Sequence, residues 1–544
     1  MMRRSLHFVV VGLVAAATLA WPVPEASAQS YQRISGEGSS WSAGAIDAMR
    51  VNVKQFGITV DYNPSGSTAG RKNFLNGTVD FAASDIPFQF RPEDGSAPEN
   101  PAPGSYAYIP VTAGGTSFIY NLRINGQRVT NLRLSGENVA RIFTGQIAKW
   151  NDPAIAADNP GLTLPDRPIV PVVRSEGSGS TAQFTNWMIR QHPGIWNDYC
   201  ERSGRAPACG QTSFYPTIPG MIAQTGDLGV TGYVTQGFAE GAIGYVNYSY
   251  AIGAQFPVAK VLNAAGYYTE PTPENVAVSL LRARINTDAN SDAYLTQILD
   301  DVYTDPDPRN YQLSSYSYFI LPTKVQGQFN EAKGRSLSAF TYYAMCQAQQ
   351  QSASLGYSPM PINLVEASFE QIRKIPGAEV QSINIAECNN PTFSPDGTNL
   401  LAANAPFPQE CDKVGPEQCA AGTGGQKDTT TPVAGGGGGG EQAAGPVAAA
   451  GTTGVGAGAG TAGGTAATTE ATTIDPDTGQ VVGGSASSGG GTLGLAVATP
   501  TSLDATSGWS STQTLAMLVA GLVLALVFGP ALLWRRMSAS GGPT

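Results

Sequence analysis

Three times this chain repeats one local pattern: an apolar run of strand composition breaks into a Gly/Ser-rich loop, and residues at helical spacing follow. The first copy is Tyr31 to Ile34, then Ser35-Gly36-Glu37-Gly38-Ser39-Ser40-Trp41, then Ala45, Ile46, Met49, Val53 and Phe56. The second is Ile58 to Tyr62, Ser65-Gly66-Ser67-Thr68-Ala69-Gly70, and a short helical run from Arg71 to Leu75. The third is Ile169 to Val173, Arg174-Ser175-Glu176-Gly177-Ser178-Gly179-Ser180-Thr181, and the helix-like run Ala182 to Ile189. Repeated strand-loop-helix units require an α/β architecture with mostly parallel strands. Ligands of such sheets bind beyond the carboxyl ends of the strands, where these loops lie.

Each loop has the makings of an anion cradle. Glycines admit close backbone approach, serines add hydroxyl donors, and a helix's first turn presents free N–H groups and a partial positive charge. One such loop reads equally well as an ordinary Gly/Ser turn; three at equivalent junctions favour a shared cleft. A fourth element, Val79-Asp80-Phe81-Ala82-Ala83-Ser84-Asp85, is a short apolar strand ending in a carboxylate where the loops converge. An ionised carboxylate only accepts hydrogen bonds, so beside an anion it selects one that carries a proton, as phosphate does and sulfate does not. The alternative is an Asp85 that N-caps the following segment. Arg174 supplies a guanidinium able to fork onto two anion oxygens, and Glu176 stands two residues on to hold it. A solvated Arg-Glu pair at a loop edge is the alternative there.

The ends place the folded part outside a membrane. Arg3 and Arg4, the apolar run Leu6 to Ala20 and Ala26-Ser27-Ala28 read as an export signal over 1–28, so the mature chain begins near Gln29. No cysteine lies near that site, which argues against lipid attachment there. Thr514 to Trp534 holds about 20 uncharged residues, long enough to span a bilayer, and Arg535 and Arg536 follow at once. We therefore expect a single membrane helix over 512–534, a cytoplasmic tail over 535–544 and an extracellular head. A buried core helix is the rival reading, but a Gly-rich tail offers it no domain to be buried in. Between head and span, 420–511 is dominated by Gly, Ala and Thr and cannot bury enough apolar surface to fold. As a flexible coil it would reach roughly 50 Å. Its composition permits O-glycosylation without establishing it.

The remaining head of about 380 residues divides naturally into two lobes. The formal charge is −10; residues 1–28 carry two arginines and one glutamate, so the mature chain stands at −11. An acidic exported head is a poor match for nucleic acid, whereas a local anion site on it is set by backbone dipoles and one or two cations. Export favours disulfides among Cys200, Cys209, Cys346, Cys388, Cys411 and Cys419, with 15 connectivities open. Proximity in sequence pairs Cys200 with Cys209 and Cys411 with Cys419, leaving Cys346 for Cys388. A zinc cluster is the rival, but no CxxC spacing exists and histidine is nearly absent.

The three loops and Phe81 to Asp85, with Ile142 to Asp152, Asn159-Pro160-Gly161-Leu162 and Gly241-Ala242-Ile243-Gly244-Tyr245-Val246, resemble the periplasmic-type phosphate-binding proteins of Pst-type ABC phosphate importers. The resemblance covers about residues 31 to 376. It implies a two-lobed periplasmic-binding-protein (type II) fold with a hinged cleft. The first lobe would take 29–110, the second 111–249, and the chain would return to the first over 250–400, followed by a disulfide-linked tail over 401–419. Carried across, phosphate would be held by the Ser40 hydroxyl, the Trp41 N–H, Ser67, Arg174, Ser178, Gly179 and Ser180, with Asp85 accepting its proton and Glu176 behind Arg174. The chain departs from the family's usual residues: Ser40 and Ser180 replace threonine, Trp41 phenylalanine, Glu176 aspartate and Glu37 alanine. Arg91 to Gly104 and Pro193 to Tyr215 stand out as insertions. The implied partners are inorganic phosphate and a membrane permease, with no cofactor and no metal.

An exported phosphoesterase is the alternative from another class, since serines on Gly-rich loops also serve as nucleophiles. The mature chain has one histidine, His192, followed by Pro193, and no G-x-S-x-G elbow, so a serine nucleophile lacks its usual base and a metallohydrolase its ligands. We expect a binding protein and no enzyme. A surface phosphate sensor or adhesin that keeps the fold without feeding a transporter is the second alternative.

Overall fold

The computed structural model describes residues 31–207, 210–381, 383, 385–394 and 398–433, and the short strands 473–474 and 481–482. The chain divides into two units, Met1–Pro446 and Val447–Thr544. In the second, Thr473–Ile474 pairs antiparallel with Val481–Val482. The expected signal segment over 1–28 and the expected membrane helix over 512–534 lie outside the described residues. Among the described residues no helix is long and apolar enough to cross a membrane.

The three units fold as strand, loop and helix with shifted bounds: the first strand, Ile34–Gly38, runs into the expected loop, and the second and third helices begin inside theirs, at Ser67 and Gly179. β1 (Ile34–Gly38) leads through the first loop into α1 (Ala43–Asn52), and β2 (Val60–Asn63) through the second into α2 (Ser67–Leu75). α1 forms because Ala45, Ile46 and Met49 make one buried face, and the helical run ends at Gly57, whose φ of 79° a side chain resists. β3 (Phe81–Ser84) is buried along its whole length. Next come β4 (Tyr106–Tyr120), β5 (Arg133–Leu134) and β6 (Val170–Arg174), the last opening through the third loop into α3 (Gly179–Gln191). β7 (Ile222–Gln224), α4 (Gly226–Val234), β8 (Ala242–Asn247), β9 (Val258–Leu262), β10 (Tyr268–Thr269), β11 (Ser314–Pro322) and α5 (Glu331–Met345) complete the frame.

The strands run in the order β2-β1-β3-β11-β4-β8-β6-β7. β1 is parallel to both β2 and β3, and β6 is parallel to both β7 and β8. Two parallel blocks are thus joined through long antiparallel strands. β4 is common to both: Tyr106 to Gly115 pairs with β11, and Thr116 to Tyr120 with β8. The architecture is the two-lobed α/β arrangement expected from the repeats, and β4 is where the lobes are continuous.

Two boundaries differ from the sequence reading. Val258 and Ala259 of β9 pair with the second-lobe end of β4, and Val261 with β5, so the second lobe continues past residue 249. The linker does not begin at 420. Thr423 Oγ1 accepts from Val258 N–H at 3.1 Å, and Thr431 Oγ1 accepts from Thr130 N–H at 2.8 Å, which ties this segment to the second lobe. Its Thr hydroxyls give the backbone of β9 and its neighbours hydrogen-bond partners, a role invisible in composition. The two insertions meet each other: Thr212 Oγ1 donates to Asp94 Oδ2 at 2.6 Å and Gln211 N–H to Glu93 Oε2 at 3.0 Å.

Cys411–Cys419 is a disulfide, as proximity in sequence indicates, and Cys346–Cys388 is one too, the pair that proximity left over. Cys200 is buried; Cys209, its expected partner, lies outside the described residues.

Gly38 ends β1 at φ 141°, and a Cβ there would stand 1.9 Å from the Ala83 carbonyl oxygen. Gly38→Ala is expected to cost about 2–4 kcal/mol through strain and forced separation of β1 from β3. Gly57→Ala, with open space around it, should cost only about 1 kcal/mol. Urea unfolding of the two variants checks this, and equal losses would refute the close-approach role of Gly38.

Candidate anion-binding cleft

The loops expected to converge do so, at the carboxyl ends of β1, β3 and β6. Ser39 N–H donates to the Ala83 carbonyl at 2.9 Å and Gly66 N–H to the Gly38 carbonyl at 2.7 Å, which fixes the first two loops side by side. The third loop reaches them from the other lobe, where Gly177 O accepts from Thr68 N–H at 3.0 Å. Gly179 makes the approach possible. A Cβ there would lie 2.5 Å from Ser67 Oγ and 2.9 Å from Asp85 Oδ2, so only glycine allows the start of α3 to face both.

Asp85 is buried and collects hydroxyls. Ser39 donates to its Oδ1 at 2.7 Å, Ser317 to the same oxygen at 2.8 Å, and Ser67 to Oδ2 at 3.3 Å. Burial pushes its carboxyl up to about 6; the Ser39 and Ser317 hydroxyls pull it down, Asp227 pushes it up and Arg174 pulls it down. Asp85 is therefore not an N-cap. It is a carboxylate held in a dry place by donors that stabilise its charge only in part.

Arg174 is buried at the end of β6. Its Nη1 donates to Asp227 Oδ2 at 2.7 Å and to Ser180 Oγ at 3.2 Å, and its Nη2 donates to Ser40 Oγ and Glu176 Oε1. Nε has no partner among the described residues. Burial works against the guanidinium's charge, but Asp227 and Glu176 outweigh it and raise its pKa. The pairing is not the solvated loop-edge contact considered from sequence. Glu176 also accepts from Gly226 N–H at 3.1 Å through its second oxygen, which joins the third loop to the start of α4.

The other expected residues fall in the same cluster. Ser40 crosses the cleft, donating to Asp227 Oδ2 at 2.6 Å and accepting from Asp227 N–H at 3.1 Å. Ser178 caps α3 by accepting from Thr181 N–H at 3.3 Å and lies 2.8 Å from the Ser180 hydroxyl. Trp41 turns its ring inward: Nε1 donates to Thr116 Oγ1 at 3.1 Å, and the ring meets Tyr357 edge to face with centroids 6.2 Å apart. Its bulk is accommodated by Gly114 of β4, where a Cβ would sit 2.9 Å from the indole. Glu37 is engaged within its own lobe, accepting from Ser65 at 2.5 Å, Asn63 at 3.2 Å and Asn73 at 2.7 Å. His192 follows α3 and packs edge-on against Trp187.

Three members of the cluster escaped the sequence reading. Ser39, beside Ser40 in the first loop, is one, bonded to Asp85 within its own lobe. Asp227 sits in the first turn of α4 behind Gly226 at φ 69°, and β7 with that glycine is a fourth strand-glycine-helix junction, a signal present in Ile222 to Asp227. Ser317 reaches Asp85 from β11, where the ladder with β4 shifts register between Ser317 and Tyr318; nothing in a Ser/Tyr-rich strand announces that.

A two-lobed α/β fold with donors from both lobes gathered around two buried carboxylates and one buried guanidinium is the architecture of a solute-binding receptor. Residues 23–348 match the family model described as a PBP superfamily domain. Three relatives are named as phosphate-binding proteins. PstS of Pasteurella multocida is 30% identical over 339 residues, covering 62% of this chain and 88% of the relative. PstS of Haemophilus influenzae is 31% identical over 318 residues, covering 58% and 85%. PstS 2 of Mycobacterium tuberculosis is 30% identical over 311 residues, covering 56% and 76%. The chain belongs to the PBP superfamily and, within it, to the family of the PstS phosphate-binding proteins.

Because the folded protein holds the Asp85 proton up to about pH 6 while an unfolded aspartate releases it near 3.8, the fold loses stability as pH rises across that window. The loss reaches up to about 3 kcal/mol above pH 6. Asp85→Asn removes it. Urea midpoints of the two proteins should diverge between pH 4 and pH 7, with the variant higher; parallel curves would refute the assignment.

Proposed function

We propose that the cleft binds inorganic phosphate and that the protein delivers it to an ABC importer from the outer face of a membrane, to which its C-terminal segment holds it. The observation that carries this reading is Asp85: a buried, acceptor-only carboxylate set against the start of α3. A fully ionised anion would meet unrelieved repulsion there. A protonated oxyanion offers Asp85 an O–H and leaves its other oxygens for Arg174, the hydroxyls of Ser40, Ser67, Ser178 and Ser180, and the N–H groups of Trp41 and Gly179. Phosphate fits that description at neutral pH and sulfate does not. The names of the relatives point the same way. No residue is assigned a catalytic role.

Lobe closure follows from the same geometry. Ser40 and Asp85 belong to one lobe, Arg174 and Asp227 to the other, and β4 is continuous between them, so a ligand bonded to both faces favours the closed state. A closed head would present one surface to the permease. The uncharged run before Arg535 and the Gly-rich stretch ahead of it supply anchor and tether, keeping the head at high local concentration.

Titration calorimetry of the secreted head against phosphate, arsenate and sulfate tests the assignment: heat with phosphate is expected, and its absence would overturn it. Arg174→Ala should weaken phosphate by about 100-fold, the value of one or two charge-assisted hydrogen bonds. Asp85→Asn should weaken phosphate more than sulfate, and equal losses would remove the proton-acceptor role. Cells expressing the chain truncated after residue 511 should release the head to the medium, while the full chain stays with the membrane fraction.

A further inference from the structure

Asp227 is fully buried and completely engaged. Its Oδ1 accepts from Asn247 N–H at 2.8 Å, and its Oδ2 accepts from Arg174 at 2.7 Å and from Ser40, across the cleft, at 2.6 Å. It therefore competes with any bound anion for the two donors on which that anion most depends. Glu176 takes another edge of the same guanidinium, and Asp85 lies two serines away, through the adjacent Ser39 and Ser40.

The charges around the ligand position can be counted by element. Among the described residues Arg174, at the end of β6, is the one cation bonded into the cluster. Against it stand Asp85 after β3, Glu176 in the third loop and Asp227 at the start of α4. The remaining titratable groups facing this region among the described residues are Tyr62 on β2, Tyr245 on β8, Tyr318 on β11, and Tyr250 and Tyr357, whose phenols burial raises and so keeps neutral. Glu37 is bonded within its lobe, and Asp47 pairs with Arg50 on α1. Arg71 does not offset the balance, because it is spent on Glu99 at 2.7 Å. With its carboxylates ionised the site is negative before any ligand arrives, so each further unit of negative charge is resisted in a low-dielectric setting.

We propose that Asp227 makes this cleft a receptor for the singly charged, dihydrogen form of phosphate; the inference rests on the phosphate assignment above. That form brings one negative charge instead of two. It also carries two O–H donors for two acceptor-only carboxylates, one for Asp85 and one for Asp227, whose Oδ2 is released as Ser40 turns its hydroxyl to the ligand. In alkaline solution free phosphate is mostly the dianion, so binding must take one proton from the buffer for each phosphate bound. A dianion that merely shares its single proton with Asp85 would take none.

Calorimetry of the head with phosphate in two buffers of different ionisation heat, from about pH 6 to pH 8.5, reads this directly. Uptake of about one proton per phosphate is expected near pH 8, with affinity falling about tenfold per pH unit there by linkage. Asp227→Asn and Asp227→Ser are measured in parallel, the second because it avoids setting an amide N–H against Arg174; in either, the fall between pH 7.5 and 8.5 should shrink to under threefold. Phosphate binding without proton uptake, or with pH-independent affinity, in the unsubstituted protein would overturn the proposal and leave the phosphate assignment standing. An undiminished slope in a folded Asp227 variant would overturn the role of Asp227. Absence of phosphate heat at every pH would overturn the phosphate assignment itself.

Discussion

The structure depends on one continuous strand. β4 carries the sheet from one lobe into the other, exchanging β11 for β8 as its partner at the Gly115/Thr116 step. Two glycines mark that step for a steric reason. A Cβ on Gly114 would meet Asn247 at 2.8 Å and the Trp41 indole at 2.9 Å, and one on Gly115 would meet Pro271 at 2.2 Å. The crossing thus admits the first loop close to the strand that joins the lobes, and Tyr357 seals the position by donating to the Trp41 carbonyl at 2.8 Å. The hinge and the ligand loops are one packing problem, and Trp41 solves it with the larger ring that the chain carries there.

Around that frame the electrostatics are arranged by burial. A guanidinium taken out of water is retained only if carboxylates follow it, and Arg174 has two, Asp227 and Glu176. A carboxylate taken out of water without a cation of its own shifts toward its neutral form, and Asp85, with only hydroxyls in direct contact, does so. The contrast between the two groups gives the cleft a fixed charge on one wall and a titratable one on the other. Ser39 and Ser40, adjacent in sequence, split their hydroxyls between these walls: one bonds Asp85 within its lobe, the other Asp227 across the cleft.

Charged residues in and around the loops are satisfied locally. Glu37, an added carboxylate in the first loop, is satisfied by Ser65, Asn63 and Asn73. Glu176 uses its two carboxylate oxygens to bond Arg174 and the Gly226 N–H together. The two insertions bond one another from opposite lobes through Thr212–Asp94 and Gln211–Glu93, while the buried Arg71–Glu99 pair fastens the first of them to α2.

Much of this was legible in the residues. Periodicity and Gly/Ser loops at strand ends determine the α/β class, because backbone reach and side-chain period are local properties; they also locate Ser40, Ser67, Arg174, Ser178, Gly179 and Ser180 at strand ends, where ligands of such sheets collect. Cysteine spacing indicated Cys411–Cys419, and Cys346–Cys388 was the pair it left over. What the chain could not show locally is what distant segments bring to one point. Ser317 arrives from a strand more than two hundred residues beyond Asp85, Asp227 from a fourth junction, and residues 420–433, linker-like in composition, close onto β9 through threonine hydroxyls. The charge state of Asp85 was likewise undetermined by sequence. An isolated aspartate ionises readily in water, and only the tertiary structure, by removing the water and supplying hydroxyls in place of a cation, decides that this one keeps its proton to about pH 6.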